Sequence, residues 1–134
     1  MGAWGIGAFE NDGAGDLVAA LRHQGLDLLG SAFDLPDGEY LEVDQGQEVI
    51  AAAEIVAAAF GQAAPGLPPD VQQFVAQHGV AIRARTDLPA RALRALARVT
   101  ADDSEIQDLW AEVDDGRAWS AALQDLEGRL RAIR

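Results

Sequence analysis

The chain has 134 residues and contains neither Cys nor Lys, which excludes disulfides, thiolate chemistry, cysteine-held metal centres, Schiff-base catalysis and a phosphate-loop lysine. Its net charge of −12 disfavours nucleic acid or an anionic membrane as a direct partner. Twenty-seven Ala against nine Val, six Ile and two Thr favour helix, since Ala loses no side-chain entropy there while β-branched residues lean towards strand.

The opening stretch, Gly2 to Phe9, is punctuated by glycines and carries the aromatic plugs Trp4 and Phe9, so it reads as a loop. Asn11 or Asp12 then offers an N-cap, Ala14, Leu17, Val18 and Leu21 follow at helical spacing, and Gly25 closes this first helix. A second, short helix over 26–33 ends in the turn from Asp34 to Gly38. The third begins between Tyr40 and Glu48 and runs to Phe60. Only Glu54 is polar from Val49 onward, so this helix is apolar nearly all round and belongs at the centre.

Residues 62–69 form a Pro- and Gly-containing connection, too short to separate domains. Val71, Phe74, Val75 and His78 make a fourth helical face, with Gly79 as its stop. Val80 to Arg85 alternate apolar and polar, which permits a strand, but a lone strand has no partner and the segment reads as an irregular connection. A fifth helix starts at Thr86 or Asp87 with Pro89 in its first turn; Leu93, Leu96, Ala97 and Thr100 share one side and Arg91, Arg94 and Arg98 another. Ser104 and Gln107 fit a capping box ahead of Ile106, Leu109, Trp110 and Val113. Past the break at Asp114 to Gly116, a last helix carries Trp119, Ala122, Leu123, Leu126, Leu130 and Ile133. The expected fold is all-α: one domain over 1–134, an irregular bundle of about seven short helices with the Gly-rich opening loop laid on the central one.

No basic-then-apolar leader is visible at the start, and the apolar run from Val49 to Phe60 is too short for a bilayer, so the cytoplasm is the expected compartment. A chain rich in Ala, Gly and Arg and free of Lys points to a GC-rich bacterial genome. Charge is unevenly spread. Residues 1–67 hold 11 acids and a single base, Arg22, for a net −10; residues 68–134 hold 11 acids and 9 Arg, for a net −2.

The residues for chemistry are sparse. His23 and His78 are the only histidines and fall in separate helices, so no metal site is expected from them. The acids Asp34, Asp37, Glu39, Glu42, Asp44 and Glu48 lack the spacing of a calcium loop and read as a solvated face. Gly5 and Gly7 lack the third glycine and preceding strand of a nucleotide loop, and read as a tight turn tucking Trp4 and Phe9 onto the bundle. None of Ser31, Ser104, Ser120, Thr86 or Thr100 stands in a nucleophile motif. No catalytic, cofactor-binding or metal-binding residue is assigned.

Glu54 is where local rules conflict, because a carboxylate in an apolar helix must reach water or find a partner. The indole of Trp4, the glycine-rich backbone or an Arg are its candidate partners; a raised-pKa catalytic role is the sharper alternative. Arg91, Arg94 and Arg98 form a stripe able to grip an anion or an acidic partner, or to answer acids of the same chain.

The pattern Met1, Gly2, Trp4, Gly5, Gly7, Phe9, Asn11, Asp12, Ala14 and Asp16 resembles the signature that opens the bacterial "domain of unknown function 4259" family. The stretches Tyr40 to Glu42, Ala51 to Glu54 and Ser104 to Trp110 resemble it too; Ala8 departs, where the family pattern has Pro. The resemblance implies a compact stand-alone cytoplasmic protein and transfers no catalytic residue. It groups Trp4, Phe9, Asn11, Asp12, Asp16 and Glu54 as a candidate cluster in which Glu54 fastens the opening loop to the central helix.

Three functions are weighed. The first is a protein–protein interaction or regulatory module of the immunity or antitoxin kind, not an enzyme, whose acidic first half covers a basic protein partner. The second is an enzyme or small-ligand binder using Glu54 with Asp12 and Asp16 beneath the opening loop, for which a roomy polar cavity is required. A homo-oligomeric scaffold is a third.

Overall fold

Every residue from Val49 to Ala57 is buried, Glu54 included, and this run lies within a 17-residue helix that the other long helices surround. The computed structural model describes residues 3, 5–36 and 38–133. Among them are seven helices: α1 (Asp12–Gln24), α2 (Leu26–Ser31), α3 (Val43–Ala59), α4 (Pro69–Ala84), α5 (Leu88–Val99), α6 (Glu105–Ala111) and α7 (Gly116–Arg131). The described residues hold no strand, only two isolated bridges, Ala3 with Asn11 and Leu41 with Ser104. The fold is therefore all-α, and α1, α4, α5, α6 and α7 each pack on α3. Six small residues, Ala51 to Ala53, Ala57 to Ala59, let these neighbours approach the α3 backbone from several sides.

Local chemistry sets the helix ends. Gly25, at φ 77°, takes the left-handed turn that lets α2 follow α1 directly. The Leu41–Ser104 bridge lays the starts of α3 and α6 side by side: the Leu41 amide donates to Asp103 at 2.8 Å and the Glu105 amide to Leu41 at 2.8 Å. Glu105 then accepts the Val43 amide at 2.8 Å, satisfying one of the orphan donors of α3 from a different helix. Ser104 Oγ accepts from the Gln107 amide at 3.4 Å, as the capping-box spacing predicts.

The fourth helix differs from expectation. It continues through Gly79 to Ala84, so residues 80–84 are helical and neither extended nor irregular. A mid-helix glycine costs only about 1 kcal/mol, and two contacts offset it. Ile82 is buried on the same side as Val71 and Phe74, anchoring the last turn. The space over Gly79 is filled by Arg83: a Cβ there would lie 3.1 Å from Nη1, which donates to the Ala59 carbonyl at 3.0 Å and so closes the end of α3. Val80 faces water at 77% exposure, which is why the alternation mimicked a strand.

Smaller shifts occur elsewhere. The second helix ends at Ser31, the buried side of α5 is Leu88, Ala92, Ala95, Leu96 and Val99, and Ala97 and Thr100 are turned outward. Val113 lies beyond α6 and is exposed, as is Ala122 in α7.

Candidate functional site

Polar side chains of α1 and α3 hold the opening loop where it enters α1. Asn11 is buried; its Oδ1 accepts from the Ala14 amide at 2.8 Å and its Nδ2 donates to the Ala8 carbonyl at 3.3 Å, so one side chain caps α1 and ties the loop down. Gln47, buried in α3, accepts the Gly13 amide at 3.0 Å. The two helices meet so closely there that a Cβ on Gly13 would lie 2.6 Å from Gln47 Cβ. Within the loop, Glu10 folds back: its amide donates to the Gly7 carbonyl and its carboxylate accepts the Gly7 amide, both at 3.1 Å. Phe9 is half-buried against the core. Trp4 lies outside the described residues.

Glu54, 6% exposed, sits below this loop. Its two oxygens take two N–H bonds from Arg129 of α7, Oε1 from Nη2 at 2.8 Å and Oε2 from Nη1 at 2.9 Å. This planar, two-bond geometry is the strong form of a charge pair. Arg129 also donates to the Gln62 carbonyl at 3.0 Å and through Nε to Asp125 at 2.8 Å. The Glu54 carboxylate, more than desolvation opposes it, holds the Arg129 pKa above its ordinary value.

Of the three partners expected for Glu54, the structure thus supplies an Arg. Glu54 ties α3 to α7 and to the chain leaving α3. It meets the opening loop as a wall of shared cavities, whereas hydrogen bonds to the loop and the start of α1 run through Asn11 and Gln47. The cavity directly beneath the loop is about 30 Å³, lined in part by Asn11, Gln47, Glu54 and the stacked indoles of Trp110 and Trp119, whose centroids are 5.8 Å apart. It has room for roughly one water molecule.

Asp12 and Asp16 do not join Glu54. Both are exposed on α1 and neither lines that cavity. Asp16 instead faces α3, where Glu48 has its pKa raised by partial burial first and then by the charges of Asp44 and Asp16. The grouped residues therefore divide into a loop seat (Phe9, Asn11), a buried ion pair (Glu54) and an acidic rim (Asp12, Asp16).

The arginine stripe divides too. Arg91 bonds Asp34 at 2.7 Å, Asp87 at 3.2 Å and the Gly30 carbonyl at 2.9 Å, tying α5 to α2. Arg85 and Arg91 together lower the pKa of Asp87. Arg98 bonds Asp103 at 2.7 Å and the Glu39 carbonyl at 2.8 Å. Arg94 is exposed and makes no ion pair among the described residues. Two of the three thus answer groups of their own chain.

Gln47, Asp125 and Arg129 were not singled out from the sequence. Gln47 stands seven residues before Glu54, two helical turns along the same face, and that spacing was the available signal. No comparable signal links Glu54 to Arg129. Among the described residues no group of three or more His, Cys, Asp or Glu is placed to hold a metal ion, and no helix is long and apolar enough to cross a membrane.

An all-α bundle with a glycine-rich loop seated over a buried Glu–Arg pair is the class that fold and site define. The chain belongs to the family described as "Domain of unknown function (DUF4259)", whose model matches residues 2–122. That span includes Glu54 and ends before Asp125 and Arg129. No curated protein and no solved structure matches the chain.

Proposed function

We propose that the protein is a regulatory interaction module of the immunity or antitoxin kind, working in the cytoplasm and covering a basic surface of a protein partner with its acidic first half. The distribution of ion pairs carries this reading. Among the described acids of residues 1–67, only Asp34 and Glu54 are paired with Arg, and the sole base of that half, Arg22, turns to Asp70. Asp16, Asp44 and Glu48 are left close together: after partial burial, which raises the pKa of Glu48 most, the charges of Asp44 and Asp16 raise it further. Like charges held together without internal compensation favour a partner that brings Lys or Arg, and they speed its approach at low salt.

Pull-down from extract of the native host at low and high salt tests the proposal. The parent chain should retain a basic protein that high salt releases, and a variant carrying Asp16→Asn, Asp44→Asn and Glu48→Gln should not retain it. Absence of any such partner, or equal retention by the variant, counts against the reading.

A further inference from the structure

Beside the opening loop, a second and larger opening lies between that loop, the connection over 61–68 and α7. Its volume is about 390 Å³, within the range of sites that seat a side chain or a small ligand. Phe9, Pro65, Leu67 and Pro68 give it apolar walls, and Glu10, Glu54, Asp125 and Arg129 give it charge.

The charge is unbalanced in a specific way. Three carboxylates share a single guanidinium, and that guanidinium is engaged at all three nitrogens: Nε by Asp125, Nη1 by Glu54 and the Gln62 carbonyl, Nη2 by Glu54. Arg129 therefore has little left to offer an anion. On the acidic side, Asp125 uses only Oδ2 and Glu10 only Oε1 in hydrogen bonds among the described residues. Oδ1 of Asp125 remains as an acceptor at a groove with apolar walls, and the Glu10 carboxylate, curled over Gly5 and Gly7, adds negative charge at its edge. A long side chain with an apolar stem and a planar cationic head matches this combination, since the stem covers apolar surface while the head meets the carboxylates or the face of Phe9.

We infer that this groove seats an Arg side chain, flanked by apolar residues, from a segment of the basic protein partner. The inference rests on the interaction reading above and gives it an anchoring point. Arg, with Trp and Tyr, is among the residue types enriched at the well-packed pockets that anchor interfaces.

The test uses the full chain, isotopically labelled, and two short probes, acetyl-Leu-Arg-Leu-amide and acetyl-Leu-Glu-Leu-amide. The Arg peptide should shift the amides of Gly7, Phe9 and Gly66, and the Glu peptide should leave them in place. Asp125→Asn should weaken the Arg peptide about fivefold, the size expected for losing one exposed charge contact. Ala122→Arg, at an exposed position of α7 that lines the groove, should abolish binding by filling the site with the chain's own guanidinium, at an unchanged melting temperature. Equal shifts from both peptides, or full binding by a folded Ala122→Arg chain, would overturn the inference. The two proposals separate cleanly. A partner retained equally by Ala122→Arg and the parent sinks the groove alone; a seated Arg peptide with no basic partner in the extract sinks the functional reading alone.

Discussion

Arg129 reaches across 75 residues of chain to close on Glu54 with two N–H···O bonds, of 2.8 and 2.9 Å, so the only charge on the central run of α3 is matched from the last helix. Glu54 is 8% and Arg129 16% exposed at the side chain. Removing one member of such a pair leaves the other charge stranded, at a cost of about 3–5 kcal/mol, whereas apolar residues in place of both can be nearly neutral. Glu54→Ala should therefore lower the melting temperature by roughly 10 °C or more, and Glu54→Leu combined with Arg129→Leu should recover most of the loss. Calorimetry of the three chains decides it, and an unchanged midpoint in Glu54→Ala would contradict this account of the pair.

Gly13 of α1 packs directly on Gln47 of α3. Gly13→Ala places a Cβ within 2.7 Å of the Gln47 oxygen as well as against its Cβ, and 3.0 Å from the Asp44 carbonyl, which belongs to the backbone and cannot swing aside. A cost of about 1–3 kcal/mol is expected from such overpacking, read from urea denaturation. Adding Gln47→Ala should not restore the parent value, because the clash with Asp44 persists and the Gly13 amide loses its acceptor.

Glu48 makes stability depend on pH in a direction opposite to that of a salt-bridged acid. Its folded pKa lies above the ordinary 4.5, so between those two values the folded chain holds more protons than the unfolded one. The contribution of Glu48 to stability is therefore greatest below pH 4.5 and is lost as pH rises through the folded value. Glu48→Gln should melt higher than the parent at pH 7, and the gap should narrow as the pH approaches 4.5. A gap that stays constant across that window speaks against it.

Tyr40 is the sole tyrosine, so its ionisation is optically clean. Its hydroxyl donates to Asp108 at 2.5 Å, and that bond, with the negative charges of Asp108 and Glu105, pushes its pKa up to about 12. At pH 11 the folded parent should show mainly phenol, and Asp108→Ala mainly phenolate, by absorbance with helicity followed in parallel. Equal ionisation in two folded chains would remove Asp108 as the cause.

What the sequence revealed tracks the range of the interaction. Helical spacing exposed α3 and its central place because an all-round apolar run has few other solutions. Caps at Asn11 and Ser104 were legible because they act within three residues. The continuation of α4 was not, since whether Gly79 stops a helix depends on Arg83 folding over it and on Ile82 finding the core. The partner of Glu54 was equally hidden: ten arginines satisfy the chemistry, and only the approach of α7 selects Arg129. The family resemblance grouped Asp12 and Asp16 with Glu54, yet the turn of α1 leaves both exposed, with Asp16 near Glu48 rather than Glu54.

Because five helices lean on α3, its interior is common property. No subset of them keeps a sealed apolar centre once α3 leaves, so the bundle has little to gain from opening in stages and should exchange its deepest amides only through whole-molecule unfolding. Change falls most lightly on the periphery, where the loop edges and exposed charges of the outer helices lie away from the shared keel.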